Sequence, residues 1–157
     1  MNRLVFITGI LLYCSSVVFS QPAGNGTSAS PYSGTISSNT TWIPSDYPNG
    51  TIYALDIVVS AGAILTISPG TYNGGLVQFY GGYSLTIGSG STVIINPRTS
   101  VTVDDIYNSG VLRLESFQNE EGVASLIHDT YDNTGGGVSE VRLFLSGGTA
   151  GSGGNKW

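Results

Sequence analysis

Residues 61–70, Ala-Gly-Ala-Ile-Leu-Thr-Ile-Ser-Pro-Gly, decide the fold because residues 81–90 repeat them as Gly-Gly-Tyr-Ser-Leu-Thr-Ile-Gly-Ser-Gly. A shift of twenty positions lays Gly62, Leu65, Thr66, Ile67 and Gly70 on Gly82, Leu85, Thr86, Ile87 and Gly90. A degraded third copy runs from Ser109 through Gly110 and Val111 to Leu114, at a different spacing. A twenty-residue unit is too short to enclose its own core, so it must bury its apolar face against neighbouring copies. The implied fold is all-β: a right-handed parallel β-helix, or solenoid, with glycine-cornered coils. In this reading Leu65 and Leu85 point inward and stack on each other in successive coils. The threonine between aliphatics points outward, and glycines take the corners, where positive φ costs them least. The alternative is a β-sandwich of similar hairpins. The turns Ala-Gly-Ala, Ser-Pro-Gly and Gly-Ser-Gly are not the favoured two-residue hairpin loops.

Short strand runs continue on both sides. Residues 51–55, 57–59, 64–67, 76–79, 84–87, 92–95, 101–103 and 111–114 alternate or are continuously apolar, with turn residues between them. Residues 123–127 and 138–145 read as two further strands. Composition agrees: glycine, with 23 residues, punctuates the chain, while charged residues make up only 10 %, too few for exposed helix surfaces.

Residues 1–20 have the form of a secretory signal peptide. Arg3 supplies the positive start and residues 4–13 an apolar stretch too short to span a bilayer. Val18 and Ser20 stand at −3 and −1 of a cleavage before Gln21. Cys14 follows bulky Tyr13, which argues against a lipoprotein site, and its removal with the signal would leave no cysteine for a disulfide or thiolate site. Residues 21–50 are polar and read as a leader, with Trp42, Ile43 and Tyr47 available to cap the first coil. The domain plan is therefore signal peptide 1–20, leader or cap 21–50, solenoid 51–146 and glycine-rich linker 147–157.

The mature chain would keep four basic residues (Arg98, Arg113, Arg142, Lys156) against ten acidic ones, a net charge of −6. Such a chain has no basic patch for nucleic acid or anionic lipid. After residue 20 there is no second long apolar run, so no transmembrane segment is expected.

Several residues are of types that can carry chemistry. Asp104 and Asp105, with Arg98 and Arg113 nearby, are the only acid–base grouping that a β-helix lyase could use, but strand neighbours point to opposite faces. His128 beside Asp129 has no partnered nucleophile and cannot alone hold zinc. Asp129, Asp132, Asn133 and Gly135 resemble a calcium loop without its spacing. Tyr72, Tyr80, Tyr83 and Tyr107 lie near corners and would stack on sugar rings if they shared a face. Asn25, Asn39 and Asn49 match the N-glycosylation pattern, which would carry no meaning if the chain is bacterial. The reading is non-catalytic, with no cofactor and no metal. The expected partners are an extracellular glycan or surface protein and the remainder of a longer chain.

Residues 61–70 resemble coils of large secreted proteins of Bacteroidota bacteria. So does the order of residues 108–116 (Asn-Ser-Gly-Val-Leu-Arg-Leu-Glu-Ser), 122–127 (Gly-Val-Ala-Ser-Leu-Ile) and 138–146. Residues 141–144 stand loosely in place of the family's Val-x-Val-x-Arg-Tyr strand, and Trp157 in place of the first residue of its Trp-His segment. The resemblance implies an N-terminal β-helical fragment of a type IX secretion client, exported and adhesin-like. A carbohydrate-binding or polysaccharide-cleaving β-helix is the alternative. The family's C-terminal sorting domain is not in this sequence.

Overall fold

The computed structural model describes residues 21–70, 74–116 and 123–142. The expected signal peptide, Cys14, Tyr72, Trp157 and the linker 147–157 lie outside them. The described chain is a parallel β-solenoid of about four turns. Its strands are β1 (Tyr32–Ile36), β2 (Thr40–Trp42), β3 (Thr51–Val59), β4 (Ile64–Ile67), β5 (Gly75–Phe79), β6 (Ser84–Ile87), β7 (Thr92–Ile95), β8 (Thr99–Thr102), β9 (Asp105–Asn108), β10 (Val111–Glu115), β11 (Ser125–Ile127), β12 (Thr130–Asp132) and β13 (Val138–Arg142).

The strands stack as three faces. The first is the front half of β3 with β5, β8 and β11. The second is β1, the back half of β3, β6, β9 and β12. The third is β2, β4, β7, β10 and β13. Because β3 runs unbroken through the first corner, the first two faces join in one eight-stranded sheet and the third is separate. Every named pairing is parallel, so backbone hydrogen bonds run from coil to coil.

The in–out alternation of each strand builds columns of side chains. Ile57, Leu85 and Ile106 are in register on the second face. Leu65, Val93 and Leu112 are in register on the third. All six are at most 2 % exposed. The solenoid is thus as expected, but the stacked pair is not. Leu65 lies in β4 and Leu85 in β6, in different sheets, so they do not occupy one column. Partners lie between nineteen residues apart (Thr92 and Val111) and twenty-eight apart (Ile57 and Leu85). The twenty-residue shift matched a corner-and-strand unit of one face with that of another. Gly62 and Gly82 share φ of 83°, and each opens a turn into the same in–out–in strand. The local pattern recurs at every corner, so its sequence period measures strand chemistry rather than coil length.

Residues 21–50 contribute sheet as well as a cap. β1 and β2 start the second and third faces. A tight hairpin through Thr27 and Ser30 precedes them, and its Gly26 carbonyl accepts from the Tyr53 N–H (2.8 Å) above the first face. Trp42 is 3 % exposed and stacks on Tyr32, centroids 5.2 Å apart at 9°. The Tyr32 and Tyr47 hydroxyls meet at 2.6 Å. Burial, helped by that contact, pushes the Tyr47 phenol well above its ordinary value. Aromatic rings therefore seal the N-terminal end of the core.

Corners are as tightly specified as columns. A Cβ on Gly110 would sit 2.5 Å from the Ser91 carbonyl oxygen and nearer still to that of Gly88. On Gly62 it would meet open space, at the cost only of positive φ. Gly62→Ala should cost about 1–2 kcal/mol from left-handed strain. Gly110→Ala should cost more, at or above the ~3 kcal/mol end of overpacking. Urea unfolding of the two variants checks the order.

Candidate functional site

The corner between the first and second faces gathers the acids that the sequence singled out. In the second coil this corner is the four-residue excursion Tyr80-Gly-Gly-Tyr83. The Tyr80 N–H still donates to the Ala54 carbonyl of the preceding coil (3.0 Å), but the N–H groups of Gly82 and of Ser84, which opens β6, turn to side chains instead. Carboxylates of the flanking coils supply the acceptors. Asp56 takes both the N–H and the hydroxyl of Ser84, each at 2.9 Å, and Asp104 takes the N–H of Gly82. The Asp104 carbonyl in turn accepts from Asp129 and Thr130 N–H, 2.9 Å each. Asp104 is thus a corner piece binding three consecutive coils, a structural use of an acid that the sequence could equally offer to a cation or a proton.

Of its expected companions only Asp105 shares this corner. Asp105 opens β9, in register with Ser84 and Thr130. Arg98 holds φ of 64° at the corner between the third and first faces, where its carbonyl accepts from Gly75 N–H (3.1 Å). Arg113 points outward from β10 on the third face, where its Nε donates to Glu140 at 2.7 Å. The acid pair at one corner and the two arginines, one at another corner and one on the third face, therefore do not converge on one groove.

His128 sits with its ring 5.6 Å from that of Tyr131, tilted by 44°. The neighbouring loop closes on itself: Asp132 accepts from Thr134 N–H (2.8 Å) and Asn133 donates to the Gly137 carbonyl (2.8 Å). The Thr134 hydrogen bond lowers the Asp132 carboxyl below its ordinary value. Among the described residues no three His, Cys, Asp or Glu side chains are placed to hold a metal ion.

The tyrosines divide. Tyr80 stacks on Tyr53, centroids 5.5 Å apart at 21°, and its hydroxyl donates to the Ser28 carbonyl (2.9 Å). Tyr83 closes the same turn through its N–H to Tyr80 (3.2 Å). Tyr107 is exposed on β9, in register with Thr86 and Asp132. Of the three asparagines in glycosylation patterns, all exposed, Asn25 accepts from Thr27 and Asn39 accepts from the Ile64 N–H (3.1 Å).

Two features escaped the sequence. The first is an ion-pair ladder on the third face. Glu140 also meets Arg142 (3.1 Å), while Glu115 lies 3.7 Å from both Arg113 and Arg142. The 27-residue offset between β10 and β13 hides it from local inspection. The second is the open end of the core. There a hollow of about 740 Å³ is lined by Leu112, Leu114, Leu126, Tyr131, Val138 and Val141, with His128, Ser139 and Glu140 at its edge. Asn108, 1 % exposed, ties two of its lining residues together. Its amide donates to the Tyr131 hydroxyl (2.8 Å) and the Val138 carbonyl (3.2 Å) and accepts from Gly110 N–H (3.1 Å). A buried amide is tolerated here because its polar atoms are paired.

No family model matches the chain, and neither a curated protein nor a solved structure does.

The hydrogen bond from Arg113, more than burial or the other nearby charge, holds the Glu140 carboxyl below its ordinary value of 4.5. A depressed carboxyl contributes stability that is fully present above about pH 4.5 and is lost as pH falls through the lower folded-state value. Arg113→Gln should therefore flatten this part of the acid limb in denaturation curves taken from pH 6 to pH 2. The effect should be small, because exposed pairs contribute at most about 1 kcal/mol.

Proposed function

We propose that this chain is a non-catalytic structural or adhesive module of an exported bacterial surface protein. One observation carries the reading. The strands of the last described coil, β11, β12 and β13, each have a neighbour on one side only among the described residues. The described part of the stack therefore presents strand edges that can take another layer. A solenoid gains length by adding layers, and its outward side chains change without disturbing the inward columns. That suits a spacer or an adhesive surface. The charged groups support the same reading, because Asp56 and Asp104 brace a corner and Arg113 is paired with Glu140.

Carbohydrate binding is the second reading. It is favoured by the stacked rings of Tyr53 and Tyr80 and by exposed Tyr107, since aromatic rings offer flat apolar faces to sugars.

Export is tested by expressing the whole chain in a Bacteroidota host and sequencing the N-terminus of the extracellular product, which should be Gln21. An intracellular product retaining Met1 would reject it. The purified product should coat beads and make them adhere to host matrix, and should release no reducing ends from a polysaccharide panel. Release of reducing ends would sink the non-catalytic reading. Glycan-array binding that disappears in Tyr107→Ala or Tyr53→Ala would establish the second reading in place of the first.

A further inference from the structure

The two ends of the solenoid differ. Trp42, Tyr32 and Tyr47 close the first end. At the other, Val123, Ile127, Val138 and Val141 are 49–65 % exposed, and Val138 and Val141 line the hollow of about 740 Å³. Of the seven large hydrophobic residues that are exposed among the described residues, these four lie on the last coil. Around the hollow run β11, β12 and β13, each with one edge unpaired among the described residues. Unpaired edges joined to exposed apolar surface are a template for another chain.

We propose that this end is a self-association surface, on which a second copy of the chain docks mouth to mouth about a two-fold axis through Val141. The charge pattern of β13 selects that axis. Glu140 and Arg142 point outward, two residues apart, with Val141 between them facing the core side, as its register with Leu114 requires. Two copies of β13 related by a two-fold axis run antiparallel. Centred on Val141, the pairing sets Glu140 against Arg142 of the second copy, and Arg142 against its Glu140. Centring on Glu140 would keep the same in–out alternation but would oppose the two Glu140 carboxylates, which is unfavourable. A slip of one residue between the strands would turn the apolar positions outward. The existing contacts of Arg142 do not prevent the exchange, because Arg142 and Glu140 are 47 % and 36 % exposed and such pairs rearrange cheaply.

The other faces agree with this axis. A two-fold axis through the third face exchanges the first and second, so β11 meets β12 of the second copy. Both are three residues long. Their central residues, Leu126 and Tyr131, pack against the core and would cover each other across the axis. A closed dimer follows because the interface uses the same patch on both copies and leaves no further mouth to fill.

The experiment is sedimentation equilibrium of the chain secreted and processed as above, over a hundredfold range of concentration, with circular dichroism to confirm sheet content. A discrete dimer is expected. Glu140→Arg should weaken it by about tenfold or more, through like charges opposed across the axis. The double change Glu140→Arg with Arg142→Glu should restore it, although both variants lose the Arg113–Glu140 pair within the chain. Val141→Lys should abolish it. Open-ended aggregates would overturn the proposal, as would a monomer at every concentration, the result expected if residues 143–157 cover the mouth. So would a dimer indifferent to Glu140→Arg and Val141→Lys. Adhesion and glycan binding are read separately, so failure here leaves the functional reading standing.

Discussion

Coil-to-coil registration is the constraint on which the rest of this structure depends. A coil of this solenoid has few useful contacts within itself. Its backbone donors and acceptors point along the long axis, and its inward side chains are covered only by the coils on either side. Ile57 is buried because Leu85 lies over it, and Leu85 because Ile106 follows. The fold therefore tolerates coils of unequal length, since spare residues leave the prism as corner loops. It does not tolerate a strand one residue out of phase, which would move a column of aliphatics into water.

Polar side chains follow from the same constraint. A corner that bulges, such as residues 80–84, leaves the Gly82 and Ser84 N–H groups outside the ladder, and Asp104 and Asp56 reach from adjacent coils to meet them. Ser91 lies inside the prism, 1 % exposed, with its hydroxyl donating to the Gly88 carbonyl at 2.6 Å. Asn108 takes an inward position in register with Ile87 and binds two carbon-poor corners together through its amide. These groups act as fasteners. The acids of this solenoid thus include some that meet backbone, such as Asp56 and Asp104, and some that meet arginine, such as Glu115 and Glu140, and only contacts distinguish them.

The ends of such a stack carry the most consequence. At the N-terminal end of the described residues a hairpin is bonded to the first face and Tyr32, Trp42 and Tyr47 pack ring to ring. The opposite end presents apolar side chains and strand edges. The interior columns change there too, from Ile106 and Leu112 to Tyr131 and Ser139. A spacer or adhesive module of a larger assembly has use for such an asymmetric rod.

The all-β class and the strand positions were legible in the chain itself. Ile64–Ile67, Ser84–Ile87 and Thr92–Ile95 have the boundaries that alternation indicates, because in–out periodicity and glycine corners are local properties. β9 and β12 were not legible: Asp105, Asn108 and Asp132 are poor strand formers, held there by parallel neighbours in β6 and β9. β1 and β2 lay hidden in a polar segment for the same reason. Which strands stack was also beyond the sequence. Coil length varies with each corner, so a twenty-residue period could not tell that Leu65 belongs over Val93 and Leu85 over Ile57. The candidate acids and arginines were visible as residue types, but their separation onto different corners and faces is a consequence of winding. Local chemistry determined that the chain would make short strands with glycine turns; only the closing of each coil on the next decided which residues meet.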